Sequence, residues 1–250
     1  MKIDKENMLQ IAKAAALLGG KTLKAKNSGW LDRESEIGRD IKLKADRLAE
    51  RIVIDALLQS HTVVPVVSEE TYNEGPMPTS NGCFWVVDAL DGTMNYNRGI
   101  PFCCVSIALW NQWDPLVGVV FDFEHDELFS GVVGQGAWLN ESPIHVGGET
   151  EASKSVLGTG FPTLFDFSDV ALKGFIDRFR SYKKIRMIGS AALSLVYVAC
   201  GRLDAYHERN IMFWDVAGGL AIVKAAGGTI NYSHSETIDT PLEVSACSRA

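Results

Sequence analysis

The chain has no apolar segment near the ~18 residues that a membrane-crossing helix needs, and no run of Lys or Arg longer than a pair. With a net charge of −7, the second absence argues against nucleic acid or an anionic membrane as the main partner. Cysteine is scarce. The five residues Cys83, Cys103, Cys104, Cys200 and Cys247 are odd in number and contain no C-x-x-C pair. Neither a disulfide framework nor structural zinc is therefore expected. Repeats, low-complexity tracts and Pro/Ser-rich linkers are missing too. The opening "MKIDKENMLQ" places acids and amides where a secretory leader needs an apolar stretch, so a cytoplasmic location is expected.

What is present is the composition of an ordinary globular protein, with 250 residues, 46% hydrophobic and 22% charged, enough for a sizeable core. Met8, Ala12, Ala15 and Leu18 lie at helical spacing, and Leu48, Ile52, Ala56 and Leu57 mark a second amphipathic helix with Asp46 near its start. Between them "WLDRESEIGRD" reads as a polar loop. "TVVPVV" reads as a strand ending at Ser68-Glu69-Glu70. After Pro101, "CCVSIALW", "PLVGVVFDF" and "ELFSGVVG" form an antiparallel meander, and "GQGAWLNESPI" a Gly-rich hairpin. Beyond residue 150 strands and helices alternate, with a helix over 170–182 and further helices in "SAALSLVYVAC" and "DVAGGLAIVKAAGG". The pattern predicts an α+β half over residues 1–150 and an α/β half over 151–250, packed as one catalytic unit.

The chemistry concentrates in "FWVVDALDGTMNY". A strand buried on both faces, Phe84 to Val87, runs into Asp88 and Asp91, which a tight turn would aim at one point. Glu69 follows another strand, Asp215 opens a helix, and Asp46 lies near the start of an earlier one. Taken singly, Glu69 reads as a solvated turn, Asp215 as a helix cap and Asp46 as a first-turn acid. Together they offer hard oxygen donors suited to Mg²⁺ or Mn²⁺, with the Leu90 carbonyl as a further ligand. The histidines His61, His125, His145, His207 and His234 show no metal spacing and read as structural, as do Trp110, Trp113 and Cys103-Cys104.

The blocks "SEET", "WVVDALDGTMNY" and "WDVAGGLAIVKAAGG", with "IGSAALSLVYVACGRLDAYHE" between the last two, resemble the inositol monophosphatase family of Mg²⁺-dependent, lithium-sensitive phosphatases. The resemblance covers nearly the whole chain. It implies a five-layer αβαβα sandwich of the sugar phosphatase type, a homodimer, and two or three Mg²⁺ ions, with Mn²⁺ as a substitute. It implies Glu69, Asp88, Leu90, Asp91 and Asp215 as metal ligands, and Asp46 with Thr93 as the pair orienting the attacking water. Gly92 and Thr93 would offer N–H groups to phosphate, Gly189, Ser190 and Ala191 would form the substrate-side loop, and Glu208 would meet polyol hydroxyls. Phe161-Pro162 resembles a family turn lining the site. Ala89 stands where the family has proline, Tyr96 where phenylalanine is common, and many relatives continue beyond "EVSACSRA" into a further helix.

The expected activity is phosphomonoester hydrolysis by metal-activated water on a small polyol or sugar phosphate, first inositol monophosphate. Fructose-1,6-bisphosphate, histidinol phosphate and nucleotide bisphosphates are the alternative substrates. A metal-binding scaffold without turnover is the non-enzymatic alternative. No nucleic acid or membrane partner is expected.

Overall fold

The structure, a computed structural model, describes residues 3–26, 29–37, 40–59, 64–71, 82–161, 165–233 and 240–248. Two sheets carry the architecture. The larger has seven strands in the order β3-β4-β5-β6-β7-β8-β9: β3 (Val66–Ser68), β4 (Cys83–Asp91), β5 (Cys104–Asn111), β6 (Asp114–Asp122), β7 (Glu127–Val132), β8 (Gly136–Leu139) and β9 (Ser142–Ile144). Only β3 and β4 pair in parallel. The rest are antiparallel, so the expected meander and hairpin are both present.

The smaller sheet has five strands in the order β11-β10-β12-β14-β13. They are β10 (Val156–Gly158), β11 (Lys184–Arg186), β12 (Ala205–Ile211), β13 (Thr229–Tyr232) and β14 (Leu242–Cys247). Strand β14, in the segment "EVSAC", lies inside the sheet between β12 and β13.

Helices fill the remaining layers. α1 (Lys5–Lys24) and α2 (Lys44–Leu58) cover one face of the large sheet, packing Leu9, Ala12, Ala16, Val53 and Leu57 against Trp85, Val87, Val105 and Phe121. α5 (Ala191–Ala199) and α6 (Phe213–Ala225) lie between the sheets. Leu195, Val196, Val216 and Leu220 meet Phe84, Val86 and Val120 on one side and Tyr206, Val244 and Ala246 on the other. α4 (Asp169–Phe179) closes the outer face of the small sheet through Phe179, Leu157 and Ala205. The result is the αβαβα order.

Local readings were sharpened in three places. "WLDRESEIGRD" is no loop but carries β1 (Arg33–Ile37), paired with β2 (Asp40–Leu43). Leu18 and Leu48 are half-exposed at 50% and 41%. The buried stripe of α2 is Ala45, Asp46, Ala49, Glu50, Val53 and Leu57, so the helix turns two acids, Asp46 and Glu50, inward. A short helix α3 (Thr93–Arg98), unforeseen from its pattern, follows β4.

Glycine makes the central layer thin enough to close. A Cβ on Gly118 of β6 would stand 2.5 Å from the Gly218 carbonyl oxygen of α6, and one on Gly219 would stand 2.4 Å from Leu195 Cβ of α5. Gly118→Ala is therefore expected to overpack helix against sheet, at a cost of ~1–3 kcal/mol. At ~2–4 °C per kcal/mol for a chain of this size, the thermal midpoint should fall by several degrees. Gly148→Ala, with open space around the added carbon, should leave it unchanged in the same melting experiment.

Candidate active site

The paired aspartates show how the fold builds the site. Side chains of a regular strand alternate, so residues three apart point to opposite faces. Strand β4 does not end before Asp88, as expected, but runs on to Asp91. A bulge lies between them: Asp88 stands opposite Ser106 and Asp91 opposite Cys104. The extra residue restores a common face, and both carboxylates point the same way as Phe84 and Val86, towards α5 and α6. Ala89, where the family carries proline, is buried within the bulge.

Glu69, Asp88 and Asp215 each place a carboxylate oxygen within 4.8 Å of the others. Glu69 sits on the turn after β3, its N–H bonded to the Val87 carbonyl at 3.3 Å. Its neighbour Glu70 donates an N–H to Glu50 Oε2 at 2.9 Å and pairs with Lys42 at 3.0 Å. Asp215 lies in the first turn of α6 and accepts the Met212 N–H at 3.2 Å. It is thus a helix-start acid and a member of the cluster at once.

Asp91 is not in that set of three. Its Oδ2 accepts the Ser190 hydroxyl at 2.6 Å and the Ala192 N–H at 2.8 Å, so the start of α5 holds it beside the cluster. Cys104 Sγ lies 3.8 Å from the same oxygen. Asp46, buried in the first turn of α2, accepts the Leu43 N–H at 2.7 Å, and its Oδ1 lies 2.7 Å from Thr93 Oγ1. The Leu90 carbonyl oxygen is 3.1 Å from the same Thr93 hydroxyl. Gly92 has φ +90°, and a Cβ there would stand 2.6 Å from the Phe102 carbonyl oxygen, so only glycine makes this turn.

Glu69, Asp88, Leu90, Asp91, Gly92, Thr93 and Asp215 line one cleft of about 570 Å³, together with Gly189, Ser190, Ala191, Glu208 and Phe161, whereas Asp46 lies behind Thr93. Pro162 lies outside the described residues. The helices α3, α5 and α6 all begin at this cleft, through Gly92-Thr93, Ser190-Ala191 and Met212. Helix N-termini turn unpaired N–H groups towards an anion. Glu208 is buried and accepts the Tyr206 hydroxyl at 2.8 Å. Sequence reasoning had no signal for three supports: Tyr206 behind Glu208, Ser190 behind Asp91, and Asn95, whose amide lies 2.8 Å from both the Phe102 and Ile188 carbonyls.

Electrostatics follow from this packing. Among the cleft-lining described residues, Glu69, Asp88, Asp91, Glu208 and Asp215 are acidic and only Lys42 is basic. Burial, then Glu69, Asp91 and Asp215, hold the Asp88 carboxyl well above the usual range. Burial, then Asp215 and Glu70, do the same to Glu69. Burial raises Asp91 to about 6 against the Ser190 and Ala192 hydrogen bonds. It raises Asp46 to about 7 against the bonds from Thr93 and Leu43, and Glu208 to about 7 against that from Tyr206. Such a group of hard oxygen donors, short of positive charge, fits a divalent cation.

Helix starts suited to an anion around acids suited to a cation are the arrangement that a metal-dependent phosphatase requires. The sequence profile of the inositol monophosphatase family matches residues 4–248, and the chain belongs to that family. It is similar to Nus factor SuhB of Xylella fastidiosa, with 40% identity over 192 residues, 76% of this chain and 68% of that protein. Inositol monophosphatase 3 of Solanum lycopersicum is 37% identical over 232 residues, 90% of this chain and 85% of its own. Among solved structures, inositol monophosphatase from Anabaena (Nostoc) superposes with a TM-score of 0.83 at 35% identity, covering 99% of this chain and 92% of that one. The family is metal-dependent and acts on small phosphorylated substrates. No helix among the described residues is long and apolar enough to cross a membrane.

The raised carboxyls predict the response of the chelated protein to pH. Above pH ~7, Asp46, Asp91 and Glu208 are ionised in both folded and unfolded chains and carry their full burial cost. As pH falls through these values, the folded chain takes up protons before the unfolded one, whose carboxyls titrate near ~4. Stability therefore rises between pH 8 and pH 5.5. The thermal midpoint in a chelator should climb over that range, and Mg²⁺ or Mn²⁺ at pH 8 should raise it by ligand linkage.

Proposed function

We propose that this chain is a Mg²⁺-dependent phosphomonoesterase of small polyol or sugar phosphates, with inositol monophosphate as the first substrate to test. The observation that carries this reading is the charge of the cleft, where five carboxylates face one lysine. A phosphate dianion is repelled from such a cleft unless cations intervene. Glu69, Asp88 and Asp215, with Asp91 and the Leu90 carbonyl beside them, would hold those cations. Bound divalent cations would neutralise the phosphate, acidify water and steady the departing alkoxide.

The remaining roles belong to the chain. Thr93 directs its hydroxyl proton to Asp46 Oδ1, which leaves its oxygen free to accept a hydrogen bond from water and turn that water's lone pair towards phosphorus. The N–H groups of Gly92 and Thr93 at the start of α3 offer donors to phosphate oxygens, while N–H groups at the start of α5 are held by Asp91 and Ser190. Glu208, held by Tyr206, takes hydroxyls of the alcohol. An acid there disfavours a second phosphate, which ranks bisphosphates below a polyol monophosphate. No serine, cysteine or histidine nucleophile is needed. The described cysteines are free and the thiols of Cys103 and Cys104 are raised by burial, which keeps them protonated and inert. Homodimerisation and a cytoplasmic location belong to the same reading.

Inorganic phosphate release across inositol monophosphate, fructose-1,6-bisphosphate, histidinol phosphate and adenosine bisphosphate tests the activity and ranks substrates. Turnover should require Mg²⁺, vanish in chelator, and vanish in Asp88→Asn. Thr93→Ala should bind metal yet lose ~10²-fold or more in kcat. A metal-loaded chain that releases phosphate from none of the four would favour the scaffold reading.

A further inference from the structure

Lys42 is the one basic side chain among the described residues that line the acidic cleft, and the chain holds it there firmly. It lies on β2, where it pairs with Ser35 of β1. Ile41 and Leu43, on either side of it, are buried, and the Leu43 N–H is bound by Asp46. Two exposed ion pairs, Arg47 with Glu34 and Lys44 with Asp32, each at 2.9 Å, tie the same hairpin to α2. The pair that Lys42 makes is of another kind. Its ammonium stands 3.0 Å from Glu70 Oε2, and the Glu70 side chain is only 5% exposed.

Glu70 follows directly on Glu69 in the turn after β3, and the turn is braced from below. The Glu70 N–H goes to Glu50 Oε2 at 2.9 Å. Glu50 is buried in α2 and takes further hydrogen bonds from the Ser68 and Thr71 side chains. Burial, Asp215 and Glu70 raise the Glu69 carboxyl, and the Lys42 charge opposes them. Two successive carboxylates on a braced turn are oxygen donors that a divalent cation can use. An ammonium already bound to one of them works against such an ion, because like charges repel strongly in a poorly solvated cleft.

We propose that Lys42 limits the number of divalent cations that the cleft binds, its ammonium filling the place beside Glu69 and Glu70 that one further ion would otherwise take. The inference rests on the metal reading of the cleft and adds to it what sets the ion count. Ions held among Glu69, Asp88 and Asp215 keep three carboxylates whatever stands at position 42. Glu70 is committed to the ammonium and is withdrawn from the donor set. Lysine suits this task, as a compact point charge on a flexible stem that demands no coordination geometry. It acts on the ions through its charge, as a positioning residue.

Counting bound Mn²⁺ by the paramagnetic resonance signal of the free ion tests this without turnover. At the same free Mn²⁺ concentration, Lys42→Gln should bind one more ion per chain than the wild type. Lys42→Arg keeps the charge and should return the wild-type count. A lysine that served only to hold the turn would, on removal, leave the count unchanged or lower it. Either result in folded Lys42→Gln would overturn the inference, as would a gained ion in Lys42→Arg. Because Lys42→Gln leaves a buried acid without this ion pair, wild-type crystals soaked in Mn²⁺ supply a second test. Lys42 should remain on Glu70, with no anomalous peak at coordination distance from the Glu70 carboxylate. An ion ligated by Glu70 in the wild type would overturn the inference whatever the variants do. One further ion in Lys42→Gln, with no phosphate released from any ester, would overturn the phosphatase reading and leave this inference standing. No Mn²⁺ bound by any of the three proteins would overturn both.

Discussion

Negative charge gathered without a counter-charge is the constraint around which this protein is organised. Glu69, Asp88 and Asp215 bring carboxylate oxygens within 4.8 Å of one another, and Asp91 lies against them. Ionised carboxylates at such separations in a poorly solvated cleft repel strongly, and each also loses hydration. A fold selected for stability alone would not place them so. The sandwich around them is well packed, with glycines thinning the central layer and aromatic side chains filling both sheet faces. That packing tolerates a local electrostatic penalty which bound cations would turn into binding energy.

The same fold supplies an opposing field. Three helices begin at the cleft, so the positive ends of their dipoles face the space where the acids stand. Cation-binding and anion-binding surfaces are thereby interleaved, which a phosphate held by metals requires. Several contacts fix one side chain by another. Ser190 caps α5, accepting the Leu193 N–H, and also donates to Asp91. Asp46 reaches the cleft only through Thr93. Tyr206 orders Glu208. The hydroxyl of Tyr96, where phenylalanine is common in the family, donates to the Leu23 carbonyl at 2.9 Å and ties α3 to the end of α1.

Much of this was legible in the residues. The meander, the helix-strand alternation beyond residue 150 and the αβαβα order followed from hydrophobic periodicity and from the blocks resembling the family. Acid positions at strand ends and helix starts marked the cleft before its geometry was known. Illegible were features set by tertiary contact. The bulge that turns Asp88 and Asp91 to one face cannot be told from a tight turn by spacing. The inward face of α2 carries two acids, Asp46 and Glu50, beside Ala45, Ala49, Val53 and Leu57, so apolar spacing that favours Leu48 and Ile52 misplaces it. Strand β1 is polar but for its last residue, and β2, which alternates Asp40-Ile41-Lys42-Leu43, spans only four residues before α2 begins, too few for alternation to mark it. His207 carries no motif at all, and its partners Arg178 and Glu243 are distant in sequence.

A crystal soaked in Mn²⁺ tests the central claim most directly, by the anomalous signal of the ion. The account predicts at least one peak among Glu69, Asp88 and Asp215 at oxygen-coordination distance, abolished in Asp88→Asn. Mn²⁺-supported phosphate release from a protein whose soaked crystals show no ion among those three carboxylates would contradict it.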